Sequence, residues 1–356
     1  MVICAYDLQR LDSSRAAISS ALAQRPQPEA VVVVDHNPEL LAVFREEYGA
    51  QAVIIPSDQR RGLSGARNSG LAIASGSIVA FLDDDAIAGP DWLDQLTRPF
   101  ADPDVVAAGG HAVPVWSPRK PSWFPDEFLW VVGCSYAGMR REGPVRNVIG
   151  CNMAFRREVL VRLGGFDLSL GRLGKKPLGC EETELCIRAA RDMPGSRTEL
   201  VEGCEVKHLV SGDRHRPGYF FRRCFMEGVS KARLRGISGG GAMSSERAQL
   251  ISVLPKAFAR YLAAAIRRRE ASDVTRAGAL AAGTVATLAG FAWGFALPPN
   301  SGPNSAHLVP GSSPSEKGEA EEPGGGQPLT QSTHWTMDRC PGREEKFDDC
   351  HPACQG

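Results

Sequence analysis

"SGSIVAFLDDDAIAGPDW", Ser75 to Trp92, is the stretch that decides the fold. An apolar run, Ile78 to Leu82, ends abruptly in Asp83, Asp84 and Asp85. A short apolar run that does not alternate is the pattern of a strand buried on both faces, as in a parallel sheet covered by helices. Three adjacent carboxylates repel one another, so their placement at a buried strand end calls for a cation. A divalent metal shared with phosphate oxygens is one such cation. A solvated acidic turn that caps the next helix is the plainer alternative.

Working outward, the same alternation recurs. "VICAY" precedes a helical stretch over Ser14 to Gln24, "AVVVVD" (Ala30 to Asp35) precedes one over Pro38 to Tyr48, and "AVIIP" precedes a helix-compatible segment from Ala66 to Ala74. Strands alternating with helices predict an α/β fold with a mostly parallel central sheet flanked by helices. Ligands in such sheets bind beyond the carboxyl ends of the strands, where Asp35 and Asp83 to Asp85 fall. No GxGxxG follows the first strand, so a dinucleotide site lacks support.

From Gly89 to about Pro144 the chain is rich in Pro, Gly and Trp and reads as an ordered aromatic loop region. Its Trp116, Trp123 and Trp130 suit either stacking on sugar or lipid, or core filling. "GCEETELCIRAARD", Gly179 to Asp192, has helical spacing with Leu185 and Ala189 on one face, and "CEVKHLV" reads as a late strand carrying His208.

Composition narrows the class. The chain has 356 residues, 43% of them hydrophobic, and 41 basic against 41 acidic side chains, so nothing in its net charge points to nucleic acid. Seven of its 10 cysteines lie between Cys4 and Cys224 without a CxxC pair, the pattern of reduced, mostly buried thiols in a cytosolic fold. "MVICAYD" runs straight into a strand without a signal peptide, and that strand's missing lead-in leaves room for one or two absent residues.

Beyond "SGGGAMSS" the character changes. Leu250, Leu254, Phe258, Leu262 and Ile266 form an apolar stripe beside Lys256, Arg260 and Arg267 to Arg269, which predicts a basic amphipathic helix kinked at Pro255. Ala277 to Leu297 carries no charge and is long enough to span or half-enter a bilayer, or to pack as a buried helix. The Arg cluster before it would keep that end cytoplasmic. From residue 298 the Pro, Gly, Ser and Glu content predicts disorder, and three Cys with one His at the end form only a weak zinc pattern. The expected domains are 1–235, split into a nucleotide-sugar half (1–110) and an acceptor half (111–235), then a helical, membrane-associated 236–297, then a tail, 298–356.

The pieces "VICAYD", "VVVVDHN", "RRGLSGARNSGLAIASGSIVAFLDDDA", "VIGCNMAFRREVLVRLGGFD", "GCEETELCIRA" and "VKHLV" occur in the order found in family 2 glycosyltransferases. Over roughly residues 1 to 230 the chain resembles these inverting, nucleotide-sugar-dependent enzymes of the GT-A fold. The resemblance implies that Ala5 and Tyr6 flank the donor base and that Asp35 accepts hydrogen bonds from it. Gly62 and Gly65 would let the backbone approach closely, and Arg67 and Asn68 would reach the base or phosphates. Asp83 and Asp85 match the DxD motif, with Asp83 at the ribose, Asp85 on Mg²⁺ or Mn²⁺, Asp84 assisting, and His208 helping to hold the metal. Glu182 stands where the family's general base, usually Asp, is expected, and Glu181 could substitute. Asn152 and Arg156 sit on the acceptor side, where they could simply pack, and Arg222 and Arg223 could meet a diphosphate or an anionic acceptor. The donor would be a nucleotide sugar, UDP-sugar favoured. The acceptor would be lipid-linked or a glycan, met at the cytoplasmic face of the membrane by a peripheral or single-pass protein, with no nucleic acid partner. Two rivals stand: a haloacid-dehalogenase-like phosphohydrolase built on "FLDDDAI", and a non-catalytic, membrane-tethered sugar-binding relic.

Overall fold

The computed structural model describes residues 1–172, 178–238 and 244–296, all within one compact unit. The first half is built as the alternation predicts. Strands β1 (Val2–Ala5), β2 (Val31–Val34), β3 (Val53–Pro56) and β4 (Ile78–Asp83) pair in parallel in the order β3-β2-β1-β4. Helices α1 (Leu11–Leu22), α2 (Pro38–Tyr48) and α3 (Leu63–Ile73) make the crossovers. All four valines of β2 are buried, which is why its pattern does not alternate. Helix α2 starts where Asn37 accepts the Leu40 N–H with Pro38 in the first turn. After β3 the chain returns to the other side of β1. The strand order therefore reverses between β1 and β4, and their carboxyl ends flank the crevice in which such sheets bind ligands.

The second half adds neighbours that pair antiparallel, except for the parallel pair β6 and β9. Beyond β4 come β8 (Asn152–Arg156), β6 (Val105–Trp116), β9 (Arg197–Val210) and β5 (Ala86–Ala88), with β7 (Gly143–Val145) also on β9. The expected aromatic loop region thus contains a 12-residue strand, β6. Gly109, Gly110 and Pro114 disguise it, yet the packing requires the glycines. A Cβ on Gly110 would sit 1.9 Å from the Cys204 carbonyl oxygen, and one on Gly109 3.0 Å from that of Asn152. Trp116 and Trp123 pack on Phe124 with ring centroids 5.2 and 5.3 Å apart, so both fill core. Short helices α4 (Trp92–Thr97) and α5 (Arg157–Arg162) and the longer α6 (Glu181–Asp192) cover the sheet, with Leu185 and Ala189 of α6 buried as their spacing predicts. The seven cysteines from Cys4 to Cys224 are free thiols, all but Cys4 buried.

The C-terminal helices are α7 (Pro217–Ser238), α8 (Ser244–Ala248), α9 (Leu254–Arg268) and α10 (Ala271–Ala296), with a π-helical turn, Gln249–Val253, before α9. Pro255 lies in the first turn of α9, directly after that π-helical turn, which interrupts the regular bonding where the ring removes an N–H. The predicted apolar stripe of α9 largely faces outward: Leu250, Phe258, Leu262 and Ile266 are exposed, while Leu254, Ala257 and Tyr261 pack inward. Among the described residues α10 is the one helix long and apolar enough to cross a membrane. It nevertheless lies alongside α7 through glycine contacts, leaving Val285, Trp293 and Phe295 exposed on its other face. A Cβ on Gly290 would fall 1.9 Å from the Phe225 carbonyl oxygen. Gly290→Ala should therefore force the two helices apart and cost about 1–3 kcal/mol, read as a lowered melting temperature. The predicted tail and its weak zinc pattern lie outside the described residues.

Candidate active site

Asp83 ends β4, and Asp84 and Asp85 form the turn into β5. Strand β5 pairs antiparallel with β9, setting Ala86 opposite His208. This register brings the imidazole beside the acids: His208 Nε2 lies 3.2 Å from Asp85 Oδ1. The repulsion within the acidic trio is answered mainly by guanidinium groups. Arg67 of α3 reaches Asp83 Oδ1 at 3.1 Å. Arg10, in the turn after β1, pairs with Asp84 Oδ1 at 2.8 Å and also with Asp85 Oδ2. Arg214 holds the same Asp85 oxygen at 3.0 Å. Burial alone would raise the Asp85 pKa, but His208, Arg214 and Arg10 overcome it and hold the carboxylate well below the usual range. Asp84 goes the other way. Burial, opposed by Arg10 and reinforced by its acidic neighbours, pushes it up to about 7.

Ligand atoms of Asp83, Asp85 and His208 lie within 4.8 Å of one another. A divalent ion about 2.1 Å from each ligand spans about 4.2 Å, so a small rotation closes the set. Asp84 Oδ2 and His208 Nδ1 are buried without a hydrogen-bond partner among the described residues, which leaves polar capacity at the same place. Two carboxylates and an imidazole fit Mg²⁺ or Mn²⁺, and the imidazole favours Mn²⁺.

Around this cluster is a small cleft of about 60 Å³ lined by Ala5, Tyr6, Arg10, Asp35, Arg61, Arg172 and the three acids. Ala5 is buried at the end of β1, whereas Tyr6 is 40% exposed, with the Arg10 guanidinium 5.8 Å from its ring centroid. Asp35 accepts the Gly62 N–H at 3.0 Å, and His36 Nδ1 lies 2.6 Å from its other oxygen. Gly62 has φ +133°, a conformation that side chains resist.

Three predicted donor contacts do not line this cleft. Arg67 is buried and binds Asp83, Glu181 Oε1 at 2.9 Å and the Gly150 carbonyl at 2.9 Å, so it joins the acidic trio to the acceptor side. Asn68 uses its amide on the Phe166 backbone, donating to the carbonyl at 2.9 Å and accepting the N–H at 2.8 Å. A Cβ on Gly65 would lie 2.1 Å from the Arg60 carbonyl oxygen, so this glycine lets the preceding loop fold against α3.

Asp83, Leu63 and Arg172 also border a second cavity of about 1110 Å³, lined by Glu181, Glu182, His208 and Trp130 and by parts of α7, α9 and α10. Glu181 and Glu182 open α6 after Cys180, whose φ is +73°. Glu181 Oε2 is buried without a hydrogen-bond partner among the described residues. Glu182 is half-buried at the cavity wall, and burial, reinforced by Glu181, pushes its pKa up to about 8. Arg223 lines the cavity and Arg222 is exposed. Asn152 and Arg156 pack instead. The former binds Trp92 Nε1 at 2.8 Å, and the latter binds the Val105, Phe100 and Asp102 carbonyls. Sequence reasoning missed Arg10, Arg172 and Arg214. Only the basic run "DRHR" around Arg214 hinted at any of them.

Residues 1–164 match the family described as "Glycosyl transferase family 2". The chain is 37% identical over 236 residues to the glucosyl-dolichyl phosphate glucuronosyltransferase of Haloferax volcanii, covering 65% of this chain and 75% of that protein. It is 26% identical over 178 residues to the succinoglycan biosynthesis protein ExoM of Rhizobium meliloti, covering 48% of this chain and 56% of that one. Its fold is like that of the mannosyltransferase PcManGT from Pyrobaculum calidifontis, solved in complex with GDP-Man and Mn²⁺. The TM-score is 0.50 at 20% identity, over 81% of this chain and 86% of that one. These matches decide against the phosphohydrolase reading of the acidic run and place the predicted GT-A sheet in its family. The chain belongs to glycosyl transferase family 2 and is a glycosyltransferase.

Proposed function

We propose that the protein moves a sugar from a nucleoside diphosphate sugar, UDP-sugar favoured, to a hydroxyl of a lipid-linked or glycan acceptor, inverting the anomeric carbon. One observation carries this reading: the small cleft at the ends of β1 and β4 meets the large cavity at Asp83, so donor and acceptor would face each other across a single carboxylate. Ala5, Tyr6 and Asp35 bind the base and ribose side of the donor. Asp83, Asp85 and His208 hold a divalent cation that neutralises charge on the departing diphosphate. Glu182 takes the proton from the attacking hydroxyl, and the Arg67–Glu181 pair fixes the neighbouring wall. In this reading Ala5, Tyr6, Asp35 and Asp83 come from the expected donor half, 1–110, and Glu182 from the expected acceptor half, 111–235, while His208 of the second half serves the cation and Arg67 of the first meets Glu181.

A lipid-linked acceptor is supported by the name of the Haloferax volcanii relative and by the exposed apolar faces of α9 and α10. The protein lies on the cytoplasmic face of the membrane. A peripheral position is favoured over a span because α7, alongside α10, carries Arg223, Glu227 and Lys231. A crossing would draw these into hydrocarbon at about 2.5–3.5 kcal/mol for each charge.

The test is thermal shift of the whole chain with UDP-, GDP- and dTDP-sugars, each with and without Mn²⁺. At 100 times Kd, a bound donor should stabilise by about 2.7 kcal/mol, and only with the cation present. No shift with any donor would count against the reading.

A further inference from the structure

The large cavity has two unlike walls. On one, Arg223, Glu227 and Lys231 follow at one-turn spacing along α7. Arg223 Nη1 binds Glu227 Oε2 at 2.8 Å, and Lys231 Nζ reaches Glu227 Oε1 at 3.2 Å and Glu246 Oε1 at 2.6 Å. Arg146 holds the same Glu246 through two bonds of 2.6 and 2.8 Å. Each carboxylate is therefore shared between two cations. Arg223 is 9% exposed, and its Nε is buried with no hydrogen-bond partner among the described residues. Another part of the lining is apolar, with Val253, Leu288 and Phe291 among its residues.

The charged wall adjoins the candidate base. Cys180, which precedes Glu181 and Glu182, has its Sγ 3.7 Å from Glu227 Oε1. A Cβ on Gly179 would lie 3.1 Å from Arg223 Nη2. A buried donor left unpaired costs free energy that an anion arriving there recovers. An uncharged glycan could pair that donor through a hydroxyl oxygen, but it would bring no charge to the cations and would leave the apolar lining uncovered.

We propose that this cavity is an acceptor subsite for a lipid phosphate. Arg223 and Lys231 receive the phosphate, and the hydrocarbon chain lies against Val253, Leu288 and Phe291. The assignment rests on the glycosyl-transfer reading and specifies its acceptor. The phosphate sits beside the start of α6, so a sugar attached to it presents a hydroxyl toward Glu182, and the chain leaves between the helices whose outer faces are apolar.

Calorimetric titration of the full-length protein in a neutral detergent with farnesyl phosphate, farnesol and inorganic phosphate tests this. Farnesyl phosphate should bind at least tenfold more tightly than either of the others. Arg223→Gln should bring it down to the level of farnesol. Glu227→Gln, which frees both cations from their shared carboxylate, should strengthen it severalfold. Should Arg223→Gln fail to fold, Arg223→Lys, which keeps the charge and loses Nε, should lose part of the preference. Equal binding of farnesol and farnesyl phosphate, or a preference that survives Arg223→Gln, overturns the assignment. Inorganic phosphate binding as tightly as farnesyl phosphate overturns its lipid half. Nucleotide-sugar shifts recorded on the same samples report the donor site separately, so failure there is distinguishable from failure here.

Discussion

Glu182→Gln should reduce turnover by about 10²–10⁴-fold, the usual contribution of a general base, while donor and Mn²⁺ binding stay intact. The amide keeps the shape of the side chain and cannot accept a proton. The pH profile carries the same claim. A base works ionised, and burial, reinforced by Glu181, raises Glu182 to about 8. The active fraction therefore grows as pH rises, so kcat/KM should climb about tenfold per pH unit below that value and flatten above it. Glu181→Gln removes one cause and leaves burial and Glu227. It should move the limb to lower pH, by less than the whole shift because burial is the larger cause. A flat profile from pH 6 to 9, with Glu182→Gln fully active, would mean that no proton is taken here. An acceptor already ionised at its attacking oxygen would give that result.

How much of this could be read in advance depends on how local the information is. Strands β1, β2 and β4 were legible because burial on both faces writes an unbroken apolar run, and edge strand β3 kept such a run although Val53 and Pro56 are exposed. The acids at their ends were legible because the chain turns polar where the sheet stops. Strand β6 was not, since Gly109 and Gly110 respond to neighbouring backbones that a sequence window does not contain. The partners of the acids were hidden for a similar reason: Arg10 and Arg214 lie 74 or more residues from Asp84 and Asp85 along the chain and meet them only in the fold. His208 was found through family resemblance, and the physical cause of its position, the β5–β9 register, became visible only in the structure. Arg67 and Asn68 were located correctly on α3 but expected to reach a ligand. Both bind protein, because a helix buried on most of its faces leaves its polar side chains little else to meet, and Arg67 also lines the large cavity beside Asp83.

The acidic trio was expected to depend on a divalent ion to relieve its own repulsion, and the guanidinium contacts change what that cluster predicts. Asp85→Asn should weaken Mn²⁺ binding and lower turnover by at least about 10²-fold, the equivalent of roughly 3 kcal/mol of lost stabilisation. It should also destabilise the fold without any metal, because His208, Arg214 and Arg10 lose a full negative charge in a buried place. Removing one partner of a buried pair costs about 3–5 kcal/mol. The lower end is expected here, since Arg10 keeps Asp84. The acid side of the stability curve separates this from a general packing defect. With its folded pKa held well below normal, Asp85 contributes stability that is full above the unfolded carboxylate value near about 4 and is lost as pH falls through the folded one. Asp85→Asn should flatten that limb. Adding Arg214→Gln to Asp85→Asn should then recover part of the stability, because it removes the cation whose ion pair was with Asp85, and should restore neither Mn²⁺ binding nor turnover. If the two substitutions instead lower stability additively, Arg214 is not held there by Asp85, and the guanidinium account of the trio is wrong.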